Sequence, residues 1–117
     1  MFHVRAYDMQ RLHVHDIEIF VDVFSQKSAS NSSLLPTFPL NTDGVDPSGV
    51  DILIERVRVT NFDDAIVPKP LSGQNRSPCT ERVLIRDIHT VYSVGLSIGS
   101  VPPHVDQNCI RYSLFFA

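Results

Sequence analysis

Four aspartates in two short clusters are the residues of this chain most able to do chemistry. The first cluster reads Asn41-Thr42-Asp43-Gly44-Val45-Asp46 and the second Asn61-Phe62-Asp63-Asp64. Thr42 and Asp63 lie 21 positions apart, about one turn of a parallel β-helix, a repeat architecture recognised by its period. If the chain coils once between the clusters, Asp64 stacks on Asp43 at the ~4.8 Å spacing of neighbouring strands, with Asp63 one residue away. Carboxyls held that closely repel one another, so at least one keeps its proton to a higher pH than usual. That is the equipment of general acid and base catalysis. A plainer reading makes both clusters turn residues, since Asp is common wherever the backbone bends.

The elements that must position these groups are strands. Leu12-His13-Val14-His15-Asp16-Ile17-Glu18-Ile19 matches Ile52-Leu53-Ile54-Glu55-Arg56-Val57-Arg58-Val59 in its apolar skeleton. A third copy begins at Val83 and a shorter fourth at Ser113, so the intervals are 40, 31 and 30 residues. Each full copy is two short alternating runs rich in Val and Ile, joined by a polar corner. Period-two alternation and eight prolines disfavour helix. The expected fold is therefore all-β: a parallel β-helix of about four coils, with loops of unequal length between strands. Two such loops, Ser25–Pro39 and Pro68–Pro78, are expected on the surface, where loops on a rigid stack often carry specificity.

The chain as a whole sets bounds. At 117 residues it holds at most one domain. With 43% hydrophobic and 20% charged residues it is globular rather than disordered. A net charge of −3 gives no electrostatic case for nucleic acid. No apolar run approaches the ~20 residues that cross a bilayer, and Met1-Phe2-His3-Val4-Arg5 lacks the layout of a secretory signal. The chain opens and closes in apolar strand, at Phe2-His3-Val4 and Tyr112–Ala117, whereas solenoids cover their ends with polar repeats. Residues 1–117 thus read as a single partial domain, the central fragment of a longer β-helix. Alone it is expected to aggregate through its open edges and to be inactive.

Cys79 and Cys109 occupy one register in successive coils, close enough for a disulfide. A bridge and two stacked thiols are both compatible with that placement. No Cys/His ligand spacing points to zinc. His13 and His15 face the same way on a strand and could share a metal, but no third ligand is in sight, and exposed strand histidines are the simpler reading. Ser97 and Ser100 lack the strand-turn-helix setting of a hydrolase nucleophile and read as stacking residues. Two Asn-x-Ser sequons, at Asn31 and Asn75, matter only in a secreted protein.

Three motifs in order, Asn41-Thr42-Asp43-Gly44-Val45-Asp46, Asp63-Asp64 and Gly95-Leu96-Ser97-Ile98-Gly99-Ser100, resemble the polygalacturonases of glycoside hydrolase family 28. The wording around them is most similar to fungal members, and the likeness runs over nearly the whole chain. It implies a right-handed parallel β-helix and hydrolysis of pectin-like polysaccharide with inversion at the anomeric carbon. Carried across residue by residue, it makes Asp63 the general acid and gives Asp43 and Asp64 the attacking water. Inversion implies acid and base carboxyls ~6.5–9.5 Å apart, so Asp63 is expected to lean away from the Asp43–Asp64 pair. Lys69 and His104 are candidates to meet an anionic sugar. No cofactor or metal is implied, the partner is the polysaccharide itself, and the full-length protein is expected to be an extracellular monomer.

The chain departs from the family pattern at four places. Ser93-Val94-Gly95 stands where the family has Gly-His-Gly, so a valine replaces the active-site histidine. Phe62 stands before Asp63 in place of a small residue. Ala65 replaces the cysteine after the Asp-Asp pair, and the Arg-x-Lys pair that grips substrate carboxylates would fall beyond Ala117. The alternative function is accordingly a non-catalytic or degenerate β-helix that binds carbohydrate.

Overall fold

A computed structural model describes residues 3–22, 41–71, 79–101 and 109–116 of the protein. Strands take up 71% of the described residues, and none of these residues is helical. The described residues are all-β, as their alternation predicts. Six strands follow in order: β1 (Val4–Phe20), β2 (Val45–Thr60), β3 (Asp64–Ile66), β4 (Cys79–Val91), β5 (Gly95–Leu96) and β6 (Cys109–Phe115).

Every pairing among them is parallel, and β2 is the hub. It pairs with β1 along nearly its whole length, with β4 over its second two thirds, and with β3 at Val45. On the far side β4 pairs β6, and β3 pairs β5. Leu12 lies beside Ile52, Ile52 beside Val83, and Val83 beside Ser113. The repeat skeleton is thus the sheet register itself, because a one-residue slip would turn every buried side chain outward.

A strand of sixteen or seventeen residues cannot alternate strictly and still face one core. Ile52 and Ile54 are buried, and so are Val57 and Val59, an odd interval that shifts the alternation by one. Arg56, with φ 52°, makes the shift, and Asp16 and Asp87 take the same left-handed conformation at the corresponding positions of β1 and β4. These are the polar corners expected between paired runs. Each bends the sheet so that both runs contribute to one cluster built on Val45, Ile52, Ile54, Val57, Val59, Ala65, Ile66, Val83 and Ile85. Burying such side chains is worth roughly 1.5–3 kcal/mol each, so the core repays a strained corner.

Charge links the corners along the stack. Arg56 donates to both oxygens of Asp16, at 2.7 and 2.9 Å, and Arg86 reaches Glu55. These carboxyls are held below the usual range by their arginine hydrogen bonds. The Asp16–Arg56 pair is half exposed, so it fixes geometry more than it adds stability. Cys79 pairs with Cys109 across β4 and β6 and the two form a disulfide, Cα atoms 4.4 Å apart. Of the expected loops, Ser25–Pro39 lies outside the described residues together with Asn31, and so do residues 72–78, including Asn75.

Candidate functional site

The two aspartate clusters lie at the starts of β2 and β3, where backbone contacts lock one segment of chain onto the next. Gly44 N donates to Asp64 O at 2.9 Å, and Val67 N donates to Val45 O at 2.9 Å. Side chains complete the clamp. Asn61 Nδ2 donates to Thr42 O (2.7 Å) and to Asp64 O (2.9 Å), while Phe62 N donates to Thr42 Oγ1 (3.1 Å). Asn61 is fully buried, so these bonds are made where their loss would leave a polar group stranded. The 21-residue offset of β2 and β3, Val45 beside Ile66, sets Asp43 next to Asp64 and Thr42 next to Asp63.

Gly44 makes this closeness feasible. A Cβ there would lie 2.3 Å from Ala65 O and 3.2 Å from Val59 Cγ1. No side chain fits between the two turns at that point.

The clamp brings the three aspartates together. One carboxylate oxygen from each of Asp43, Asp63 and Asp64 lies within 4.8 Å of the others. Asp63 is anchored at both oxygens: Oδ2 accepts from Asn41 N at 2.9 Å and Oδ1 from Asp64 N at 2.8 Å. These bonds keep it over the other two, so it does not lean away as the ~6.5–9.5 Å separation would require. Asp43 is buried, with Asp63 and Asp64 partly exposed. Burial first, then the charge of Asp63, pushes the Asp43 carboxyl above its ordinary range.

Oxygens so spaced could also surround a hard cation such as calcium, which takes oxygen ligands at ~2.3–2.6 Å. Exposed acidic groups often gather without one. His13 and His15 stack with ring centroids 4.3 Å apart, but their nitrogens face Glu55 and Asp16 at 2.9 and 2.7 Å. Each is occupied by a carboxylate, which suits surface histidines.

Lys69 comes to the cluster from beyond β3. Its Nζ lies 3.9 Å from a carboxylate oxygen of Asp43 and 3.9 Å from one of Asp46. The lysine therefore faces the protein's own acids with its side chain three-quarters covered. His104 lies outside the described residues. On the next turn, Val94 N and Ser93 Oγ both donate to Asp63 O, at 3.0 and 2.9 Å. Val94 thus sits directly beside Asp63 with 72% of its surface open to solvent. Ser97 Oγ is buried, with no hydrogen bond among the described residues, which removes it from consideration as an exposed nucleophile.

Two residues matter more than their types suggest. Asn61 ties the two turns together, and its signal was its place two residues before the Asp63-Asp64 pair. Asp46, the fourth carboxylate of the clusters, is 2% exposed, and among the described residues neither of its oxygens accepts a hydrogen bond.

No family model, no curated protein and no solved structure shows a significant match to this chain.

Proposed function

We propose that the protein is a polygalacturonase-like glycoside hydrolase of family 28, acting on pectin-like polysaccharide outside the cell. The fold would be a right-handed parallel β-helix, with the uniformly parallel ladders in its favour. The observation that carries the reading is the convergence of Asp43, Asp63 and Asp64 from two successive turns, with an oxygen of each within 4.8 Å of the others. Solvated turn residues would not need the buried Asn61 clamp or a glycine pressed against a carbonyl.

In this mechanism Asp63 gives its proton to the glycosidic oxygen as the bond from that oxygen to the anomeric carbon breaks. Water held by Asp43 and Asp64 attacks the same carbon from the opposite face and yields its proton to that pair. Solvent then takes that proton from the pair and returns one to Asp63. A raised proton affinity suits Asp43 as the acceptor. The family resemblance carries the expectation of inversion, in a trio more compact than the ~6.5–9.5 Å usual for inverting enzymes. Lys69 and His104 would meet the substrate's carboxylates. The Cys79–Cys109 bridge suits an oxidising compartment.

A second reading, carbohydrate binding without catalysis, is favoured by the exposed Val94 at the position of the family histidine. Proton NMR of polygalacturonate during digestion separates the two. First-formed product of inverted anomeric configuration supports the hydrolase, retained configuration makes one carboxylate a nucleophile, and saturable binding without new reducing ends leaves only the binding module.

A further inference from the structure

Asp46 is placed as no ordinary carboxylate would be. It follows Asp43 by three residues on β2 and is 2% exposed, and among the described residues neither oxygen accepts a hydrogen bond. An isolated charge in such a place costs far more than a neutral group. The groups facing it are Asp43 just before β2, Arg5 on β1, which pairs with it in register, and Lys69 following β3. Lys69 lies at ion-pair distance and divides itself between Asp46 and Asp43, 3.9 Å from each. One shared ammonium cannot neutralise two buried carboxylates.

We propose that Asp46 keeps its proton and acts as a positioning residue for Asp43, so that the two carboxyls together carry a single negative charge, on Asp43, which faces the Lys69 ammonium and lies beside Asp63 and Asp64. Its consequence for turnover rests on the hydrolase reading, whereas its protonation does not. Burial, and then the charge of Asp43, raises the Asp46 carboxyl to about 7, with Lys69 and Arg5 opposing. Asp43 is thereby left free to accept a proton from water, and the site gains no second buried charge until the pH passes neutrality.

The test is a titration of the aspartate carboxyls by carbon-13 NMR, from about pH 4 to about pH 9, in the parent, Asp46→Asn and Lys69→Met. The expected result is one carboxyl titrating near pH 7 in the parent. It should be absent from Asp46→Asn and displaced to higher pH in Lys69→Met. The kcat/KM profile of Asp46→Asn should also lose one ionisation near neutrality, whereas a purely structural role would scale the profile without changing its shape. A parent with no carboxyl titrating above about pH 5, or an unchanged titration in Asp46→Asn, overturns the proposal. If Asp46→Asn does not fold, the parent titration and its displacement in Lys69→Met decide. A parent that shows the titration but releases no sugar refutes the hydrolase reading and leaves the Asp46 proton established.

Discussion

Replacing Gly44 by alanine should damage both stability and site. The new Cβ would sit 2.3 Å from Ala65 O and 3.3 Å from its carbonyl carbon, with Val59 Cγ1 at 3.2 Å. A carbonyl on a paired strand cannot swing aside as a flexible side chain could, so β2 and β3 must part by about 1 Å to restore ordinary contact. Overpacking of this kind costs about 1–3 kcal/mol. Stretching the 2.9 Å bond from Gly44 N to Asp64 O adds about 1 kcal/mol. Urea unfolding should therefore show a loss of about 2–4 kcal/mol. The same separation pulls Asp43 from Asp64, and a misplacement of about 1 Å can cost ~10²-fold in turnover. Parent-like unfolding and parent-like activity in Gly44→Ala would show that close approach at this glycine does not align the carboxylates.

Three further outcomes follow from the same geometry. Reducing the Cys79–Cys109 disulfide, which closes a separation of 30 residues, should cost about 3–4 kcal/mol, read as a lower urea midpoint with reductant. Asp46 binds its proton more tightly folded than unfolded, so stability should fall as pH rises from its ordinary 3.8 toward about 7 and level off above. Thermal melts across that window should show the decline in the parent and a flatter course in Asp46→Asn. Val94→His puts an imidazole beside Asp63, and on polygalacturonate it should raise kcat. A fall to undetectable turnover would mean that the open valine face is part of the substrate site.

Much of the fold could be read before any coordinates. Leu12, Ile52, Val83 and Ser113 were aligned on their apolar skeleton alone, and they are neighbours in the sheet, because a one-residue slip would turn the buried face outward. The stacking of Asp43 and Asp64 followed from a 21-residue interval for the same reason. What could not be read was set by contacts between turns. The corners looked merely polar, yet Asp16, Arg56 and Asp87 shift the alternation by adopting positive φ, a backbone choice for which Arg carries no signal. Asp63 was expected to stand apart, but two backbone N–H groups hold it over its neighbours. Lys69 read as a candidate to meet an anionic sugar. Its placement against Asp43 and Asp46 depends on how the chain leaves β3, which spacing does not encode.

The assignment of Asp63 as the acid is tested most directly by leaving-group dependence. Asp63→Asn should lose ~10²–10⁴-fold on polygalacturonate, the usual worth of general acid help. On an activated nitrophenyl glycoside, whose leaving group departs without a proton, most of that loss should disappear. Asp43→Asn and Asp64→Asn act on the water, so their losses should persist on both substrates. Equal losses for Asp63→Asn on polymer and activated glycoside would contradict its role as the acid, and parent-like turnover in all three variants would make the acidic cluster structural.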